Sequence, residues 1–145
     1  MINQELMKRI MEIAKRNGDS FIVAKTVEEI EELKHALKND TLEEIIEEAA
    51  DVMHMIIQLA VSQDAFRVML LVLEDKVRRT EMIFEICDAL TSIVGTKIKY
   101  DSKTKRFIHA EGPPQNVITV ENDKIWISTP LPASLIALIG EFYSF

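Results

Sequence analysis

Sulfur chemistry is almost absent from this chain, because Cys87 is its only cysteine. No intrachain disulfide can form, and a reducing cytoplasm is the expected setting. No stretch approaches the roughly 20 consecutive apolar residues that a membrane-spanning helix needs. Basic runs are missing as well. The formal charge is −7, from 24 acidic against 17 basic residues, which argues against an extended nucleic-acid interface. The opening MINQELMKRIMEIAKRNG is charged throughout and amphipathic, so it does not read as a signal peptide. His35, His54 and His109 are too scattered to suggest a transition-metal site, and His35 and His54 are expected at the surface. No internal repeat and no low-complexity tract is present.

The remaining content is that of a globular protein: 145 residues, 48% hydrophobic and 28% charged. Leu6, Ile10, Ile13 and Ala14 recur at helical spacing, and Asn17-Gly18 supplies a stop. A second helix is expected to begin near Thr26, as N-cap of a capping box with Glu29, and to run to about Lys38. Asn39-Asp40 make a turn. Thr41 caps a third helix with Glu43 and Glu44 in its first turn, where the helix dipole favours anions, and this helix reaches about Ser62. A fourth runs from Ala65 to about Val94 and stops at Gly95.

Beyond Gly95 the pattern changes. Thr96–Tyr100 and Arg106–Ala110 flank the turn signal Asp101-Ser102-Lys103-Thr104, and Val117–Glu121 and Lys124–Ser128 flank Asn122-Asp123, so two hairpins are expected. A short apolar helix ending near Phe142 follows Pro130 and Pro132. The reading is a mainly α protein: a helical core over 1–94 and a small β-hairpin-plus-helix appendage over 95–145. The alternation of Ile98 and Tyr100 with Lys97 and Lys99 predicts one packed face and one wet face on the first hairpin. The appendage is expected to modulate assembly or substrate access and to carry no catalytic group.

The acidic residues carry the chemistry. Glu28-Glu29-Ile30-Glu31-Glu32 is followed, after fifteen residues, by Glu48-Ala49-Ala50-Asp51. Residues three apart share a helix face, so Glu29 pairs with Glu32 and Glu48 with Asp51. Runs of Glu on helices are ordinarily exposed surface. In helical projection, however, Glu29 and Glu32 fall with Ile30, Leu33, Ala36 and Leu37, while Glu28, Glu31, Lys34 and His35 fall opposite. Glu48 falls between Met55 and Leu59, with Asp51 alongside. Unpaired carboxylates there would cost several kcal/mol. Two such helices packed antiparallel would bring four carboxylates to one point, which calls for a divalent cation.

The fourth helix shows the same anomaly with the opposite sign. Lys76 projects among Met69, Val72, Ile83 and Cys87, and Arg79 lies beside Val72 and Ile86. Arg78 faces outward with Glu74, Glu81 and Glu85. Lys76 and Arg79 either neutralise the acids in a buried network or receive phosphate oxygens. Clustered carboxylates suit Mg²⁺ or Mn²⁺, hard cations that prefer oxygen ligands. Metal and bases together, without a thiol nucleophile, point to hydrolysis of a phosphoanhydride by activated water.

The pattern Glu28-Glu29-x-x-Glu32, a gap, then Glu48-x-x-Asp51 resembles the signature of the all-α nucleoside triphosphate pyrophosphohydrolases, the MazG-like superfamily. Lys25-Thr26-Val27-Glu28-Glu29-Ile30-Glu31-Glu32-Leu33 resembles the motif helix of its small single-domain and phage members. The resemblance covers about residues 20 to 85. It implies a four-helix core, oligomers of dimeric units and Mg²⁺-dependent cleavage of nucleoside triphosphates to monophosphate and pyrophosphate. It also implies Glu29, Glu32, Glu48 and Asp51 as metal ligands and Glu28 as a second-metal or water-orienting acid. Lys25, Lys76 and Arg79 match basic positions that contact phosphates. Thr80-Glu81 replaces the aromatic or glycine-containing sequence common after that basic motif, so no particular base or sugar is implied. Glu47 to His54 also resembles the corresponding helix of phosphoribosyl-ATP pyrophosphohydrolase, whose chemistry is the same cleavage on a different nucleotide.

Other features read as structure. Cys87, Met53, Met55, Met69 and Met82 are core filler, and Trp126 is expected to pack on its hairpin although an indole there can stack a base. The apolar arc of Ile45, Ile46, Val52, Ile56 and Leu59 predicts a homodimer or a dimer of dimers. A non-catalytic helical interaction or regulatory module with this fold is the alternative to an enzyme.

Overall fold

The computed structural model describes residues 3–113, 115–122, 124–127 and 129–144. Its elements follow the order α1 (Gln4–Asn17), α2 (Asp19–Asn39), α3 (Leu42–Ser62), α4 (Phe66–Val94), β1 (Ile98–Asp101), β2 (Arg106–His109), β3 (Ile118–Glu121), β4 (Lys124–Ile127) and α5 (Ala133–Tyr143). Helices dominate, followed by two small antiparallel strand pairs and a short terminal helix, as the periodicity predicts. Two residues of the second hairpin reading, Asp123 and Ser128, lie outside the described residues.

One helix start differs from the sequence expectation. α2 begins at Asp19, seven residues before Thr26. Gly18 takes φ 77°, a left-handed conformation that costs glycine little, and its N–H donates back to Ala14 O. The chain therefore turns within one residue and re-enters a helix at once. Thr26 sits inside α2, buried, and its hydroxyl donates to Ile22 O at 2.6 Å. A threonine hydroxyl satisfied by the carbonyl four residues back no longer competes with the helix as a cap. Thr41 does cap α3. Its hydroxyl accepts from the Glu44 N–H, and Glu44 returns the bond to the Thr41 N–H.

By its contacts the chain divides into two compact units, Met1–Val72 and Leu73–Phe145. The change of sequence pattern at Gly95 and this boundary inside α4 fall at different places. The reason is that Met82, Ile86 and Leu90 of α4 are fully buried in one core with Ile98, Phe107, Ile118, Leu135, Ile139 and Phe142. The hairpins thus borrow half a helix as their support, since two-stranded ribbons are marginal alone.

In the first unit, α2 and α3 form an αα-hairpin across Asp40-Thr41, and α1 lies against α3. Ala14, Ile22 and Met55 make its small core, with Leu59 and Val61 against it. In the second unit, β1 pairs with β2 from Ile98↔His109 to Asp101↔Arg106, and β3 with β4 from Ile118↔Ile127 to Glu121↔Lys124. Ile98 is buried and Lys97 and Lys99 are exposed, as the alternation predicts. Four aromatic rings, Tyr100, Phe107, Phe142 and Tyr143, cluster edge-to-face or tilted with centroids 5.1–6.3 Å apart.

Several side chains depart from the projection. Met55 and Met82 are buried, but Met53 is exposed. Cys87 is half-buried against the second core. Trp126 is not packed. It pairs with Thr119 on the outer face of the β3–β4 ribbon and is 59% exposed. His35 is exposed, but His54 is half-buried and bonded to Gln58.

Candidate metal centre

The hairpin of α2 and α3 explains why acids so far apart in sequence meet. Glu29 and Asp51 each stand eleven positions from Asp40, and Glu32 and Glu48 each stand eight. With equal rise per residue in both helices, each pair returns to the same height across the hairpin. Glu29, Glu48 and Asp51 come together, each offering a carboxylate oxygen, with these atoms all within 4.8 Å of one another.

The three differ in burial. Glu29 is 6% exposed, the deepest of the acids. Glu48 is half-buried and its Oε2 is enclosed without a hydrogen-bond partner among the described residues. Asp51 is exposed at the edge. The sequence expectation placed Glu32 on the apolar side with Glu29, but its side chain is exposed and is not one of the clustered three. The helical arc covers only one side of α2, and Glu32 stands at its margin. It remains close to Glu29, and hydrogen bonding to Glu29 is the main cause that pushes its carboxyl above the ordinary range. Glu29 is held below that range, chiefly by its hydrogen bond with Lys25.

Lys25 reaches the cluster from one turn earlier on α2. Its Nζ lies 2.8 Å from Glu29 Oε1 and 2.7 Å from Glu28 Oε1. Glu28 is exposed, as projection predicts. Bonds to both carboxylates, that to Glu28 first, push the Lys25 ammonium well above its ordinary value.

The donor set fits a hard divalent cation. Carboxylate oxygens are the ligands such ions prefer, and an enclosed carboxylate oxygen without a donor is a costly arrangement that a cation relieves. Glu29, Glu48 and Asp51 would hold the ion, with Glu32 beside them.

The basic residues expected on α4 belong to the second unit. Lys76 is exposed, not among Met69, Val72, Ile83 and Cys87 as projected, because this side of α4 is left uncovered at Val72, Leu73 and Val77. Arg79 is half-buried in a different role. Its Nη2 donates to Tyr100 Oη at 3.1 Å, and its guanidinium lies over the Phe142 ring, 4.9 Å from the centroid. Arg78 pairs outward with Glu85 at 3.5 Å, as expected, and also with Glu141 of α5 at 3.8 Å.

The sequence reading missed a polar network in the first unit. Gln58 is 1% exposed; its Oε1 accepts from Asn17 Nδ2 at 2.8 Å, and its Nε2 stands 3.0 Å from His54 Nε2. The signal available was a single amide inside the apolar run Met55-Ile56-Ile57-Gln58-Leu59-Ala60-Val61.

A model of the phosphoribosyl-ATP pyrophosphohydrolase family matches residues 7–81, a stretch that spans Lys25, every acid of the cluster, Lys76 and Arg79. No curated protein and no solved structure matches the chain.

Proposed function

We infer the function from one premise: the chain belongs to the phosphoribosyl-ATP pyrophosphohydrolase family, within the all-α MazG-like superfamily. The family makes it a pyrophosphohydrolase. The finer reading is divalent-metal-dependent cleavage between the α and β phosphates of a nucleotide that carries a triphosphate. Phosphoribosyl-ATP and simple nucleoside triphosphates share that bond. The family match favours the first as substrate, and the four-acid resemblance favours the second.

The observation that carries the reading is the clustered Glu29, Glu48 and Asp51 with an unpartnered oxygen on Glu48. A bound Mg²⁺ or Mn²⁺ supplies electrostatic stabilisation of the phosphate oxygens and an activated water. The chain's own residues do the rest. Glu29 is fixed by burial, so the position of the ion is set before substrate arrives. Asp51 and Glu32, at the exposed edge, face the side from which a nucleotide approaches. Lys25 brings a cation to that edge and suits phosphate oxygens, and Glu28 orients water beside it. The resemblance gives phosphate contacts to Lys76 and Arg79 also. The contacts described for Arg79 instead support a structural role in the second unit. Catalysis in the cytoplasm by a homodimer or a dimer of dimers completes the proposal.

A panel assay tests it. The full chain is incubated with phosphoribosyl-ATP, ATP and the other nucleoside triphosphates, in Mg²⁺ or in chelator, and the products are separated. Monophosphate plus pyrophosphate, with Mg²⁺ only, is expected from at least one of them. Orthophosphate alone from every substrate would overturn the reaction assigned. No turnover of any nucleotide would favour the non-catalytic module.

A further inference from the structure

Lys25, assigned to phosphate oxygens in the proposed reaction, is already engaged inside the acid cluster before any phosphate arrives. Its side chain is part-exposed, and its ammonium is already paired with two carboxylates. It lies 2.8 Å from Glu29 Oε1, on a carboxylate that is 6% exposed and therefore expensive to leave charged and unpaired. Among the described ion pairs it is the only base that reaches the cluster; Glu48 and Asp51 have none. The same ammonium keeps a second seat on the exposed Glu28, at 2.7 Å.

We propose that Lys25 is the internal counter-ion of the site, a positioning residue that holds the Glu29 carboxylate while no divalent ion is bound and yields it when one binds. This inference rests on the metal reading above. A carboxylate oxygen engaged by an ammonium has less electron density to give a metal, so metal affinity is set against the Lys25–Glu29 pair. Glu28 makes the exchange inexpensive, because Lys25 can leave Glu29 without losing a partner. Once displaced, the ammonium stands beside the loaded site, where anionic phosphate arrives. Metal loading and readiness for phosphate are thereby coupled through one side chain.

The test measures Mn²⁺ binding, without nucleotide, to the full chain by titration calorimetry and by the electron-spin resonance of free Mn²⁺. Lys25→Gln removes the competitor and should bind Mn²⁺ roughly tenfold tighter or more. Lys25→Arg keeps the charge and should stay close to wild type. The Mn²⁺ dependence of the melting difference adds a readout that a merely structural lysine would not move. In chelator Lys25→Gln should melt below wild type, and in saturating Mn²⁺ the difference should vanish or reverse. Lys25→Met, which keeps the apolar stem, repeats both measurements if the glutamine variant does not fold. Equal or weaker Mn²⁺ binding in the variants, or an equal melting deficit with and without Mn²⁺, would overturn the inference and leave the metal reading standing. Failure of wild type itself to bind Mn²⁺ would overturn both.

Discussion

Asn17 donates its side-chain amide to Gln58 Oε1 at 2.8 Å, tying the last residue of α1 to the C-terminal part of α3. The bond is part-buried, and Gln58 in turn holds the half-buried His54 ring. A satisfied buried amide contributes modestly, but an orphaned partner costs about 1–3 kcal/mol. Gln58→Ala should therefore destabilise the first unit by about 1–3 kcal/mol, read from the shift in urea midpoint. A loss below about half a kcal/mol would mean that water replaces the network without penalty.

The acid cluster makes a prediction about charge. Glu48→Gln and Asp51→Asn preserve shape while removing a ligand charge, so turnover in Mg²⁺ should fall by orders of magnitude. In chelator the melting temperature of each variant should hold or rise, since fewer like charges crowd the same point. Activity and stability thus move in opposite directions. Full activity in Glu48→Gln, measured by pyrophosphate release, would remove Glu48 from the site.

The aromatic cluster of the second unit gives a pH prediction. Burial pushes the Tyr143 phenol up to about 12, from an ordinary 10.0. Its hydroxyl donates to Lys105 O at 3.3 Å. As pH rises above 10 the unfolded chain loses this proton before the folded chain does. The stability owed to the neutral phenol is complete below that point and is lost as pH climbs through 12. Tyrosinate absorbance should show one late-titrating phenol near 12, and Tyr143→Phe should abolish that late step.

Exposed apolar side chains predict association. Val68, Leu70, Leu71 and Val72 stand exposed along the first turns of α4, and Ile46, Met53 and Ile56 along α3. A soluble monomer rarely leaves so much apolar surface uncovered. Sedimentation should show a dimer or larger at micromolar concentration, and Leu71→Lys should weaken it. A wild-type monomer at that concentration would refute the association.

Much of this molecule was legible in order along the chain. The capping box at Thr41, the stop at Gly95 and the two hairpins rest on interactions between residues a few positions apart, which local sequence specifies. The spacing of Glu29, Glu32, Glu48 and Asp51 told which faces the acids share, for the same reason. What the periodicity left open was decided by tertiary contact. A helical wheel gives the direction of a side chain but not what lies opposite. Hence Glu29 is buried while Glu32, on the same wheel face, is exposed; Lys76 projects inward on the wheel but is exposed; and Arg79 meets Tyr100 and Phe142. The local sequence at Thr26 suits a cap, but Gly18 turns the chain first and α2 begins at Asp19. The Lys25 ammonium bridging Glu28 and Glu29 is local to α2, at i+3 and i+4 spacing, but the meeting of Glu29 with Glu48 and Asp51, and the enclosed oxygen of Glu48, exist only because two helices close on each other across Asp40.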